Sequence, residues 1–113
     1  MVDDEQAILL LLRDLLEDEG YTVLIAHDGV VALSLAQDTK PDIVLTDLMM
    51  PAMDGGALGR RLRADPGTAR IPLIAMTAAY GSYDAALFAH VIAKPFEIEP
   101  LLATIAALLP AAA

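Results

Sequence analysis

Segments with the apolar period of a helix alternate along the chain with short strand-like runs, and brief turn-forming stretches separate them. Residues from about Glu5 to Glu19 have helical length. Acids in the first turn suit the helix dipole, and Gly20 stands as a C-terminal cap. Thr22 to Ala26 is a short β-rich run closed by His27-Asp28-Gly29. Val30 to Gln37 reads as a second helix, which Lys40-Pro41 stops. Asp42 to Thr46 follows as a strand, continuously hydrophobic as a parallel strand covered on both faces should be. Ala57 to Ala64 is helical and is closed by Asp65-Pro66-Gly67. After it come a strand from Ile71 to Met76, a short helix from about Ser82 to Ala89, a strand from Val91 to Ala93 and a last helix from Ile98 to Leu109. Alternation of this kind predicts an α/β layer fold with right-handed crossovers.

With 113 residues, the chain is expected to form a single domain spanning 1–113, with one core. Its hydrophobic share of 57% exceeds the usual 45 to 50%, which raises the question of a membrane segment. The longest apolar stretches, such as Ala7 to Leu12 and Leu101 to Leu109, fall well short of the roughly 18 to 20 residues that cross a bilayer. The chain opens with acids where a signal peptide has a basic region, so a cytoplasmic protein is expected. A net charge of −9 argues against direct nucleic-acid binding, because phosphate backbones are held by clusters of Lys and Arg. Arg60, Arg61 and Arg63 are the one local basic concentration, and they are read as a solvated helix face. No cysteine is present, which excludes disulfides and thiolate chemistry.

In doubly wound sheets, functional residues collect outside the carboxyl ends of the strands. Asp47, Thr77 and Lys94 each fall at such an end, and the acids Asp3-Asp4-Glu5 lie near the start of the chain. A carboxylate where a buried strand emerges is poorly solvated yet reachable, which suits a nucleophile or a metal ligand. Each residue also has a plainer reading. The acids fit a helix N-terminus, Thr77 an ordinary strand end and Lys94 a solvated charge. Met49, Met50 and Met53 read as packing and loop residues, and His27 and His90 as isolated histidines. A nucleotide-binding domain is disfavoured because no Gly-rich loop follows a strand.

The stretches Val2-Asp3-Asp4-Glu5, Asp42 to Pro51, Met53-Asp54-Gly55, Ile71 to Ala78 and Ala93-Lys94-Pro95-Phe96 occur in order, with 43 positions from Asp4 to Asp47 and 30 from Asp47 to Thr77. Together they resemble the receiver domain of bacterial two-component response regulators, from Val2 to about Leu109. The resemblance implies a flavodoxin-like doubly wound parallel sheet of order 2-1-3-4-5. It implies a phosphoacceptor rather than an enzyme: Asp47 takes a phosphoryl group from a histidine kinase or phosphotransfer protein. Mg²⁺ is held by Asp3, Asp4, Asp47 and the backbone carbonyl of Met49, while Lys94 and the hydroxyl of Thr77 contact the phosphoryl group.

Two departures from the family pattern carry expectations of their own. The family's internal first strand supplies several aliphatic residues, whereas only Met1 and Val2 precede the acids here, so that strand is expected to be nearly absent. Three missing aliphatic side chains represent roughly 5 to 9 kcal/mol, comparable with the whole stability of a small domain. The gap implies that another segment fills it, that the sheet closes up, or that a natural chain starts earlier. Between Thr77 and Lys94 only 17 positions remain, so the fourth helix must be short, and Val91 stands where the family has an aromatic relay residue. A non-switching receiver-like interaction module is therefore the second reading, with an exposed sheet edge or groove for another chain; a homodimer is one form it can take.

Overall fold

The computed structural model describes residues 1–3, 6–48, 53–77, 85–93 and 97–109, apart from the side chains of Gln6, Ile8 and Ala85. Leu9, Leu12 and Leu16 lie three and four positions apart and bury one face of helix α1 (Gln6–Asp18), leaving Leu11 in solvent. The predicted start at Glu5 lies outside the described residues. Gly20 ends the helix with φ of 94°, a left-handed conformation that costs glycine nothing, and its N–H donates to the Glu17 carbonyl at 2.9 Å.

Helix α2 (Gly29–Thr39) starts where the Asp28 carboxylate accepts from the Val31 N–H at 2.9 Å. It buries the small residues Ala32 and Ala36 and ends at Lys40, whose φ is 46°. Strand β1 (Val44–Asp47) is buried throughout and leads to helix α3 (Gly55–Ala64), capped by Asp54. The buried strand β2 (Leu73–Thr77), a 3₁₀ turn (Ala85–Leu87), strand β3 (His90–Ala93) and helix α4 (Ile98–Leu108) complete the described chain.

The three strands are parallel in the order β1-β2-β3, with Asp47 paired to Met76 and Thr77 to Ala93. Alternate side chains go to opposite faces. Val44, Leu73 and Ala75 pack with Ala32, Ala36, Leu58 and Leu62, while Leu45, Ile74 and Met76 pack with Leu12, Leu16, Leu101 and Ile105. The sheet is thus covered on both sides, which explains the unbroken hydrophobicity of β1 and β2.

Val2 fills the internal position beside β1. It forms parallel bridges to both Ala26 and Thr46; its N–H donates to Leu45 O and its carbonyl accepts from Asp47 N, both at 2.8 Å. In space the segments therefore run Ala26, Val2, β1, β2, β3. The sheet does not close up, because Val2 keeps the two flanking segments a strand apart. The expected strand at Thr22 to Ala26 is corrected to a single bridge at Ala26: its neighbour is too short to support a ladder.

The helix expected from Ser82 to Ala89 is also corrected where the structure describes it. Residues 85–87 form a 3₁₀ turn, since Ala89 N–H already donates to Leu73 O at 2.8 Å and buried Phe88 anchors the chain against the core. Residues 82–84 lie outside the described set. Arg63 departs from the expected solvated face. Its guanidinium donates to the carbonyls of Ala69 and Ile71, both at 2.7 Å, and of Leu87 at 3.1 Å, whereas Arg60 and Arg61 are exposed.

Candidate functional site

Asp47 is the last residue of β1 and only 7% exposed. Three contacts fix its backbone: Asp47 N–H donates to Val2 O at 2.8 Å, the Thr46 hydroxyl donates to Asp47 O at 2.9 Å, and the next amide, Leu48 N–H, donates to Met76 O at 3.2 Å. Gly55 N–H donates to Leu48 O at 3.2 Å, which ties the start of α3 to the end of β1. Glycine is required there, because a Cβ on residue 55 would overlap the Asp47 carbonyl oxygen and stand 3.0 Å from Leu48 Cα.

Asp3 is fully buried, and its N–H donates to Ala26 O at 3.2 Å. Since Val2 pairs with Thr46, Asp3 and Asp47 each follow a paired residue and lie level on neighbouring segments, about 4.8 Å apart in strand spacing. Thr77, 8% exposed, ends β2 one residue beyond the partner of Asp47. Asp3, Asp47 and Thr77 thus stand at the carboxyl ends of three adjacent extended segments. Each has a hydrogen-bonding or electrostatic partner in the protein.

Asp4, Met49 and Lys94 lie outside the described residues, so the structure brings together three of the six predicted site residues. Among the described residues the acidic grouping is the pair Asp3 and Asp47, and no set of three ligating side chains occurs. Sequence reasoning gave Asp54 and Gly55 no part in the site. Asp54 accepts from Ala57 N–H at 2.8 Å and starts α3, so that the next residue presses against the backbone of Asp47. An Asp-Gly pair closing a loop after a strand is the signal that points to both. Two carboxylates at one sheet edge give hard oxygen donors and a protein nucleophile in one place, with a hydroxyl donor on the adjacent strand.

Comparison with known proteins identifies the arrangement. The response regulator receiver domain profile matches residues 1–106. The DNA-binding dual master transcriptional regulator RpaA of Synechocystis is 37% identical over 115 residues, covering 96% of this chain and 47% of that protein. The Vibrio cholerae chemotaxis protein CheY4 superposes with a TM-score of 0.87 at 30% identity, over 96% of this chain and 94% of that one. The receiver domain of the Pseudomonas aeruginosa sensor histidine kinase PA1611, which has a magnesium ion coordinated in its active-site cleft, gives 0.85 at 28% identity over 95% and 92%. The chain belongs to the response regulator receiver domain family of two-component systems, with that family's flavodoxin-like fold. It spans about half the length of the curated relatives RpaA and MprA. Members of the family bind Mg²⁺ in the active site and interact with histidine kinases or phosphotransfer proteins. Among the described residues no helix is long and apolar enough to cross a membrane.

Proposed function

We propose that this receiver accepts a phosphoryl group on Asp47 from a phosphohistidine of a histidine kinase or phosphotransfer protein, in a Mg²⁺-dependent reaction in the cytoplasm. The observation that carries the reading is the buried pair Asp3 and Asp47, level on adjacent segments, with Thr77 at the end of the next strand.

Asp3 and Asp47 stand level on adjacent segments at one sheet edge, and carboxylate oxygens are the donors a hard divalent ion prefers. The residues therefore fit Mg²⁺. Asp3, Asp4, Asp47 and the backbone carbonyl of Met49 would hold it, and when bound it supplies positive charge against the phosphoryl oxygens. An Asp47 carboxylate oxygen forms the bond to phosphorus while the phosphorus–nitrogen bond to the donor imidazole breaks; the imidazole leaves and takes up a proton. The Thr77 hydroxyl donates a hydrogen bond to a phosphoryl oxygen, and the Lys94 ammonium pairs with its charge. The backbone bonds to Val2 and Met76 keep Asp47 from retreating, which favours in-line approach. The added charge then shifts an equilibrium between inactive and active surfaces.

Phosphoramidate carries the same phosphorus–nitrogen bond and tests the reading directly. With Mg²⁺, ³¹P NMR of the wild type should show one acyl phosphate signal that Asp47→Asn lacks. Equal incorporation by a folded Asp47→Asn variant would remove Asp47 from the reaction.

A further inference from the structure

Asp28-Gly29 and Asp54-Gly55 are the two Asp-Gly pairs of the chain, and each opens a helix in the same way. The Asp28 carboxylate accepts from Val31 N–H at 2.9 Å at the start of α2, and Asp54 accepts from Ala57 N–H at 2.8 Å at the start of α3. Each glycine is buried at the first helical position and meets a backbone carbonyl with no room for a side chain. A Cβ on Gly55 would overlap the Asp47 oxygen. One on Gly29 would overlap the Met53 oxygen and stand 2.8 Å from Met53 Cβ and 3.0 Å from Met53 Cγ.

The two contacts lie in series. The Met53 carbonyl belongs to the peptide group that enters Asp54, and a peptide group moves as one plane. Gly55, the next residue, donates to Leu48 O at 3.2 Å and lies against the Asp47 carbonyl, whose own peptide group carries the Leu48 N–H bonded to Met76 O. From Gly29 to Asp47 the path is backbone throughout. Its α2 end is the firmer one: Ala32 and Ala36 are buried in one core with Val44, Leu58 and Leu62, and Ala32 N–H donates to Asp28 O at 3.1 Å, whereas Met53 is half-buried. A methyl group at position 29 therefore displaces the Met53–Asp54 peptide in preference to the helix, and Gly55 and the Asp47 carbonyl move with it.

We propose that Gly29, on another element and 18 positions before Asp47, is a positioning residue for the phosphoacceptor, holding the Asp47 backbone in place through Met53 and Gly55. This role rests on the reading of Asp47 as the phosphoacceptor. In-line attack tolerates little error in the place of the attacking oxygen, since a misplacement of about 1 Å can cost about 100-fold in rate.

The test compares Gly29→Ala with Ser34→Gly, which weakens α2 at an exposed position in its middle. Without metal or phosphodonor, Gly29→Ala should shift the backbone amide signals of Gly55 and Leu48 more than those of Val91 and Ile92 on β3, and Ser34→Gly should leave Gly55 and Leu48 in place. With phosphoramidate and saturating Mg²⁺, at a temperature where all proteins are folded, Gly29→Ala should be phosphorylated at least about fivefold more slowly than the wild type, and Ser34→Gly at the wild-type rate. A merely structural part for Gly29 would slow both variants alike. Equal slowing, or a folded Gly29→Ala variant with the wild-type rate or with Gly55 and Leu48 unmoved, overturns the proposal. If Gly29→Ala does not fold, Met53→Gly decides: it removes the Cβ and Cγ that lie over Gly29, so the same two amides should shift and the rate should fall about threefold or more, and a wild-type rate overturns the role. A folded wild type that gains no phosphate defeats the phosphoacceptor reading instead, and the amide comparison still decides whether Gly29 holds the Asp47 backbone.

Discussion

Gly55 packs backbone to backbone against Asp47, with its Cα directed at the Asp47 carbonyl so closely that a methyl group would overlap the oxygen. Helix α3 therefore begins against the residue proposed to carry the phosphoryl group. Replacement by alanine must move either the helix or the strand end. Gly55→Ala should cost about 1 to 3 kcal/mol in urea unfolding and slow phosphorylation by at least tenfold, because the carboxylate shifts with its backbone. A loss below about 0.5 kcal/mol with unchanged phosphorylation would contradict the contact.

Ile74 and Leu73 lie on opposite faces of β2 and are both fully buried. Ile74→Ala and Leu73→Ala should each destabilise by about 2 to 5 kcal/mol, since each leaves a cavity between sheet and helices. Leu11→Ala, at a residue 61% exposed, should stay within about 0.5 kcal/mol. Comparable effects at all three positions would contradict the layering.

Arg63 joins α3 to the turn after it and to the 3₁₀ segment through three carbonyl oxygens. Arg63→Ala should cost about 2 to 4 kcal/mol, because charged donors are lost and carbonyls are left without them. Lysine has no planar fork to span the carbonyls, so Arg63→Lys should recover less than half of the loss. Arg60→Ala serves as the exposed control and should be nearly neutral.

Burial of the Met1 amine lowers its pKa from 8.0 to about 6. Between these values the unfolded 113-residue chain binds a proton that the folded chain does not, so stability rises with pH across that window. The gain from pH 6 to pH 8 should approach about 2 to 3 kcal/mol at most. The measurement is made by denaturant unfolding in a background with His27 and His90 changed to glutamine. Acetylation of the amine should flatten the profile; a slope that survives acetylation would assign it elsewhere.

The inner strands were legible because both faces are covered and their sequences are continuously apolar. Their ends were less so. Asp47 and Thr77 read as exits from the sheet, yet both still pair, with Met76 and Ala93, so β1 and β2 end one residue later than their polarity suggests. Thr22 to Ala26 has strand composition but lacks a long neighbour, and no local pattern reports the length of a partner. Arg63 was hidden for a related reason, since its acceptors lie 6, 8 and 24 residues away. Asp3, Asp47 and Thr77 could be nominated because the carboxyl edge of a parallel sheet is where polar residues gather. The part of Gly55 was legible only as far as an Asp-Gly pair following a strand, since close approach of two backbones leaves no further mark than the glycine itself.

Intact mass spectrometry after incubation with acetyl phosphate and Mg²⁺ tests the central claim most directly. The account predicts one phosphate on the wild type, none on Asp47→Asn, and strongly reduced incorporation on Asp3→Asn or when the metal is chelated. A folded wild-type protein that gains no phosphate, or an Asp47→Asn variant that gains one, would contradict it.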